Sequence, residues 1–437
     1  MDAITKALQV TTGSGGYLIP EDLNPAINEY LARISPLWSM IQKKRANGKT
    51  HEYVRRTGVP SARFEGELTE PNYTANTYDR PSVQLKILRT AGGVSGFQQA
   101  TSERFANALA QEVDGAVEGM AQLIEWSLLN GNTADSYQFN GLEAMLLADS
   151  TAKNALASGG NILDVDGVIA LSHLDSMIDR VRQYRQSARD PLAFLVSTGM
   201  ISKISGLQTR ISRTVQMVEF EGGFRMATYR DIPLIPTSYT QPAATTTSPT
   251  VTATKGAGGS LDDDEWFYAI TSVTSAGEQL VGTGNSATTE TTNNKVVLTW
   301  TADSNALLYK IWRGTTSATD SLQLLDTIAA KTYDSSGAVD GTVATYTDDG
   351  TKTPNTNMHP LSTGEETIAL VNLDQASDRG LHAIGMLSPL GDPVDNFVSY
   401  FPLATRKSAY EFVLEAFMAA VVTQPTVHAI ARRAKLA

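Results

Sequence analysis

Cysteine is absent from all 437 residues. That absence excludes disulfides, thiolate-bound zinc and thiol nucleophiles, and it suits a reducing compartment. Histidine is scarce. His51, His173, His359, His382 and His428 stand apart, with no pair four residues apart and no HExxH. A metal centre needs several convergent ligands, so each histidine reads as a structural or surface side chain. No apolar run approaches the ~18 residues of a membrane helix. The opening MDAITKALQV has no basic stretch leading into an apolar one, so no export signal is expected. Basic charge is also short, with 35 Lys+Arg against 46 Asp+Glu and a net charge of −11. Between Tyr239 and Met358 the chain carries 13 acidic and 6 basic residues, net −7; the remainder carries 33 and 29, net −4. The acidity is therefore concentrated, and neither part has the basic face of a duplex-DNA binder.

Catalytic and nucleotide motifs are missing too. Gly48-Lys49-Thr50 resembles the end of a phosphate loop, but Lys43 stands where that loop needs its first glycine. Gly282-Thr283-Gly284 has no helix pattern after it and reads as a hairpin turn. Asp262-Asp263-Asp264-Glu265 lacks the spaced ligands and turn glycine of a calcium loop and reads as a solvated acidic turn. No serine sits in a GxSxG elbow. Neither an enzyme nor a cofactor or metal site is expected.

What is present is an ordered series of segments. The length suggests roughly three domains at ~150 residues each, enough to bury a large core. Residues 1–16 read as a mobile arm passing into GGYLIPEDL. Asn24 and Pro25 suit the start of a short helix with Ile27, Tyr30, Leu31 and Ile34 on one stripe. Strands are expected from Lys49 to Thr57 and from Ser82 to Gly96. The polar, charged ARFEGELTEPNYTANTYDR lies between them as the tip of a long ribbon. Such a ribbon is poorly stable alone and is expected to lie on another copy of the chain. Thr101–Asn132 then carries Phe105, Leu109, Val113, Ala116, Met120 and Leu123 on one helical face, with Glu112, Asp114 and Glu118 solvated. Asn130-Gly131 stops the helix.

Residues 160–237 look α/β. A helix near Ser172 and Asp175 leaves Arg180, Arg182 and Arg185 outward, LAFLVS is a buried strand, and Arg230-Asp231 turns between two more strands. From Thr240 the composition changes to a Thr/Ala/Pro/Gly-rich linker or weak edge strand, then to short strands such as WFYAITSVT, KVVLTWT and LLYKIWRGT. Trp300, Tyr309 and Ile311 are available for the core of a small β-sandwich. After Met358 the mixed style resumes in TIALVNLD, LHAIGML and SAYEFVLEAFMAAVV. The sandwich therefore reads as an insertion into a surface loop, which a fold tolerates when the loop ends lie close together.

The order of these parts, with GGYLIPEDL, FEGELTEP, TYRDIPLIPTS and EAFMAAVVTQPTVHAI, resembles the major capsid proteins of tailed bacteriophages with the Hong Kong 97-type fold. The resemblance covers about 1–238 and 359–437. It implies an α+β capsid fold with N-arm, extended loop, spine helix, peripheral and axial domains, plus an inserted all-β sandwich. The implied divisions are an N-terminal arm and docking helix at 1–44 and an extended loop at 45–98. The peripheral domain takes 99–155 and 400–437, the axial domain 156–238 and 359–399, and the sandwich 239–358. GEQLVG, VVLTW, YKIWRGT and TYTDDGT are similar to immunoglobulin-like or fibronectin type III-like modules, in an order that looks permuted.

The resemblance also implies function. The chain would form homo-hexamers and homo-pentamers of an icosahedral virion shell, assembled in the bacterial host cytoplasm. That shell would enclose double-stranded DNA without reading its sequence. Portal, scaffolding and decoration proteins are the implied partners, and no membrane is involved. Contacts between subunits would fall on Arg55, Arg56, Arg63, Glu65, Glu67, Glu70 and Arg80 of the extended loop and on Tyr17, Leu18 and Ile19 of the arm. The family's namesake joins subunits through a lysine on that loop. Here Thr50–Val83 contains none, so a non-covalent shell is expected. Met1 lies close to the arm, so scaffolding is expected from a separate protein. An encapsulin-like compartment and a carbohydrate-binding surface protein are the alternatives.

Overall fold

The structure is a computed structural model that describes residues 36–70, 73–102, 107–184, 190–210, 217–219, 225–374, 379–387, 392–393, 397–403 and 408–436. The arm and the helix expected near 24–34 lie outside these residues. The fold is mixed α+β and rich in strands. The α-helices among the described residues are α1 (Leu37–Met40), α2 (Gly96–Ser102), α3 (Ala108–Asn130), α4 (Leu142–Ala148), α5 (Leu171–Tyr184) and α6 (Thr198–Arg210). None is long and apolar enough to cross a membrane.

The first sheet is organised by the strand Ala409–Val421. One edge pairs antiparallel with Lys86–Ser95, from Ala409↔Ser95 to Met418↔Lys86. The other edge pairs with Val398–Pro402 and His382–Met386, and Gln42–Arg45 adds to the last of these in parallel. Alternation decides the faces. Phe412, Leu414, Ala416 and Met418 share one buried face and join Met120, Ile124 and Leu128 of α3 in a single core cluster. Gly92 permits this packing, because a Cβ there would lie 2.6 Å from the Phe412 ring.

The second sheet runs in the order 162–168, 429–435, 365–372, 192–196, 232–236, 225–229, 217–219. Leu192–Val196 is buried along its whole length, as its unbroken apolar run requires. Phe194 and Val196 face Met177, Ile178, Val181, Met200 and Ile204 of α5 and α6. Ala193 and Leu195 point the other way, into the cluster beneath α3. The two sheets therefore share α3 and its core. At the Arg230-Asp231 turn both residues have positive φ, 51° and 65°, the conformation that a two-residue hairpin demands.

Residues 243–348 form a six-stranded sheet around Glu265–Thr274 and Ala306–Gly314 and a three-stranded sheet of 252–256, 295–299 and 345–348. Tyr268, Ile270, Leu298, Trp300, Tyr309 and Ile311 pack in one cluster, with the Trp300 and Tyr309 rings edge-on at 5.3 Å. The opposite face of the larger sheet is buried as well. Ala269 and Trp312 meet Ile162 and Met358, and Val273 and Leu308 reach the large cluster beneath α3.

Two expectations need correction. The helix expected over Thr101–Asn132 is shorter: α3 begins after Asn107, whose side chain accepts from the Ala110 N–H as an N-cap, and Thr101–Ser102 belong to the separate α2, with 103–106 outside the described residues. Phe105 falls outside the described residues. Arg180 does not face outward. It is buried, its Nε donating to the Gly160 carbonyl at 3.0 Å and its Nη1 to Gln183 Oε1 at 3.0 Å, because the turn before residue 160 covers that side of α5. Arg182 is exposed as expected, and Arg185 lies outside the described residues.

Candidate assembly surface

The ribbon between Thr50 and Gln84 is made of two short antiparallel ladders. Thr50–Glu52 pairs with Ser82–Gln84, and Arg55–Gly58 pairs with Thr77–Asp79. Beyond Gly58 the described tip has no ladder, only a turn closed by the Thr69 N–H on the Gly66 carbonyl at 3.1 Å. Glycine, proline and charge there offer no alternating apolar face to pair. The tip nevertheless carries large apolar side chains. Phe64, Leu68 and Tyr73 are 108%, 99% and 90% exposed, and Val54, Val59 and Tyr78 are exposed too. Single exposed apolar residues are ordinary, but a run of them on one projection marks an interaction surface. Covering each side chain would contribute about 1.5–3 kcal/mol.

The charged residues expected at contacts lie on this ribbon, mostly paired within it. Arg55 holds Asp79 across the strands (Nη2–Oδ2 2.9 Å) and approaches Asp149 of the body at 3.7 Å. Arg80 holds Glu52 at 2.6 Å, and Arg63 pairs with Glu65. Arg56, Glu67 and Glu70 are exposed. Exposed pairs of this kind contribute little stability, typically below about 1 kcal/mol. At the ribbon's base Tyr53 Oη donates to the Val422 carbonyl at 3.3 Å. A groove of about 500 Å³ opens there between Tyr53, Arg55 and Lys86 on the ribbon side and Asn140, Asp149 and Pro425 on the body. Tyr17, Leu18 and Ile19 lie outside the described residues.

A second polar assembly is buried, and the sequence reading did not single it out. Four charges from four separate elements of the chain close a ring. Lys310 Nζ lies 2.5 Å from Glu143 Oε1 and 2.9 Å from Glu278 Oε2. Arg432 lies 3.3 Å from Glu143 Oε2 and 3.0 Å from Glu278 Oε2. Each charge thus has two opposite neighbours. Burial opposes the charge on Glu278, but the Arg432 guanidinium and the Lys310 ammonium outweigh it and hold the carboxyl well below the usual range. The Trp312 ring lies beside the guanidinium, 5.9 Å from its centroid, and its indole N–H donates to Thr271 Oγ1 at 3.0 Å. Next in sequence, Arg433 binds Asp164 (Nε–Oδ1 2.7 Å), Asp166 at 3.2 Å and Asp320. The available signals were charges stranded in apolar runs: Lys310 in LLYKIW and Arg432-Arg433 in HAIARRAKLA.

Glu125 is a further buried carboxylate in an apolar run. Its Oε2 accepts from the Leu37 N–H at 2.9 Å and its Oε1 from the Thr237 hydroxyl at 3.0 Å. Burial pushes it up to about 7, against those hydrogen bonds. His428 is buried and pulled down to about 4 by desolvation. Among the described residues no group of acidic and histidine side chains is placed to hold a metal.

Comparisons with known proteins place these features. A family profile described as the SU10 major capsid protein matches residues 4–231, more than half of the 437-residue chain. No curated protein matches in sequence. Among solved structures, the SrpI encapsulin of Synechococcus elongatus, solved in its holo complex, is 12% identical with a TM-score of 0.52. That match covers 98% of this chain and 97% of the encapsulin. The capsid of an empty GTA particle is 9% identical over 98% of this chain and 99% of the other, with a TM-score of 0.50. At such identities the likeness is one of fold. The family match and the shell-type fold agree with the projecting ribbon. The chain belongs to the SU10 major capsid protein family and is a capsid shell protein.

Proposed function

We propose that this chain assembles into hexamers and pentamers that close an icosahedral shell around the double-stranded DNA of a tailed phage. The observation that carries the reading is the ribbon tip. Phe64, Leu68 and Tyr73 project almost wholly into solvent, and a neighbouring copy is the surface that such a projection fits. The fold division would follow the Hong Kong 97-type plan, with His382–Met386 counted with the first sheet and Ala429–Lys435 with the second, where those strands pair. The contacts would be many and individually weak, so stability would come from multivalency. The arm, with Tyr17, Leu18 and Ile19, would add to them. Thr50–Val83 has no lysine, which supports a shell held without covalent links. Residues 239–358 would be an immunoglobulin-like module on the outer surface. Portal, scaffolding and decoration proteins would be the partners, in a virion assembled in the host cytoplasm.

The similarity to an encapsulin in fold favours a second reading, a compartment that packages protein. One experiment addresses both. Particles formed by the expressed chain are imaged by electron cryo-microscopy, and particles from its native setting are analysed for content. Closed shells containing DNA support the proposal. Shells filled with protein support the second reading, and a monomer under all conditions overturns both. A denaturing gel showing a ladder of linked subunits would contradict the non-covalent shell.

A further inference from the structure

In a regular strand consecutive side chains point to opposite faces. Arg432 and Arg433 break that rule. The register of Ala429–Lys435 slips between Arg432 and Ala434, and Arg433 has φ of 55°, a left-handed conformation that strains any residue with a Cβ. The consequence is that two consecutive guanidiniums both reach the 240–358 segment. Arg432 holds Glu278 and Arg433 holds Asp320, while Glu143, Asp164 and Asp166 anchor the same arginines to the body.

We propose that the last strand is a two-point staple that fixes the orientation of the 240–358 segment on the body of the subunit. This needs only the contacts described, and it stands whether or not that segment is immunoglobulin-like. Lys310 with Glu143 and Tyr333 Oη with Asp135 (2.8 Å) also tie the segment to the body; the last strand adds two further points, at separate places on the segment, that restrict swivelling. The apolar contacts beneath, from Trp312, Ala269 and Met358 to Ile162 and Leu147 of the body, favour burial but set direction weakly, because hydrophobic contact is non-directional. Charge-assisted hydrogen bonds are directional: Arg433 is itself oriented by two parallel bonds to Asp164 and offers Nη1 to Asp320, while Arg432 offers Nη2 to Glu278. A buried ionic ring is poor evidence of stability but suits a role in registry.

The chain has no cysteine, so two introduced cysteines are unique labelling sites. Gln111→Cys on α3 and Ser317→Cys on the inserted segment are both exposed. Spin labels there report the distance between body and segment by pulsed electron resonance on the dispersed full chain. The parent is expected to give one narrow distribution. Arg433→Gly suits the left-handed backbone yet removes the guanidinium, and it is expected to broaden or split the distribution about twofold in width. Asp320 is largely exposed (64%), and Arg433 keeps Asp164 and Asp166 without it. Asp320→Asn therefore leaves the fold intact and is expected to broaden the distribution in the same direction. Unchanged widths in both variants would overturn the proposal, as would broadening only where circular dichroism shows unfolding. Particle formation is scored separately, so failure of the shell reading is distinguishable from failure of the staple.

Discussion

The ribbon of residues 50–84 and the junction beneath the 240–358 segment are both rich in charge, and they use it in opposite ways. On the ribbon, ion pairs are exposed and apolar side chains have no cover. At the junction the charges are buried and each has opposite-charge partners, with Arg432 only 1% exposed and its Nε alone left without a hydrogen bond. One region is incomplete within a single chain and the other is complete. The difference separates what a shell subunit must finish before assembly from what it leaves for its neighbours. A buried ring cannot be assembled loosely, because each unpaired charge in a low-dielectric setting is costly. A ribbon can wait in water, since its pairs contribute little and its apolar area gains only on contact.

That contrast can be broken at its strong end first. Arg432→Met leaves Glu143 and Glu278 sharing Lys310, and is expected to destabilise the chain by about 3–5 kcal/mol in urea unfolding. A loss below about 1 kcal/mol would mean that water already reaches the ring. Acid acts on the same well-packed side of the comparison. His428 titrates near 4 when folded and near 6.5 when unfolded. The unfolded chain then binds more protons at this site between those values, so the His428 contribution to stability falls as pH drops from about 6.5 to 4, by of the order of 3 kcal/mol, while Glu125, raised to about 7, contributes in the opposite sense between about 7 and 4.5. Relative to its parent, His428→Gln should therefore gain stability progressively as pH falls through that window. Gly92→Ala drives a Cβ toward the Phe412 ring and is expected to cost about 1–3 kcal/mol, read from the same unfolding curves.

At the weak end, Phe64→Ser with Leu68→Ser should leave the dispersed chain within about 0.5 kcal/mol of its parent. Sedimentation should nevertheless show shells reduced or lost. Arg80→Ala removes only the pair with Glu52 and is expected to change stability by less than about 1 kcal/mol. Equal effects of Arg80→Ala and Arg432→Met would erase the contrast.

Local features were legible in the sequence wherever local chemistry decides the outcome. Leu192–Val196 is buried as its apolar run implies, and Arg230-Asp231 turns where expected. The Lys86–Ser95 strand alternates as VQLKILRT suggests. The start of α3 was missed because apolar spacing from Phe105 onward reads as continuous, whereas a single cap at Asn107 sets it. Nonlocal features were not legible. No periodicity reveals that Ala409–Val421 pairs with Lys86–Ser95, more than three hundred residues away. Nor does it reveal that Glu143, Glu278, Lys310 and Arg432 converge. Each of those residues looked like an ordinary polar interruption, and only three-dimensional closure made them a ring. Arg180 illustrates the same point, because its partner Gly160 lies on a turn that helix periodicity cannot foresee.

The most direct test of the shell account is hydrogen exchange across residues 54–78, compared between dispersed chain and assembled particles. The account predicts rapid exchange in the dispersed chain and strong protection after assembly, centred on Phe64 and Leu68. Exchange that is equally fast in both states, or protection already complete in the dispersed chain, would contradict it.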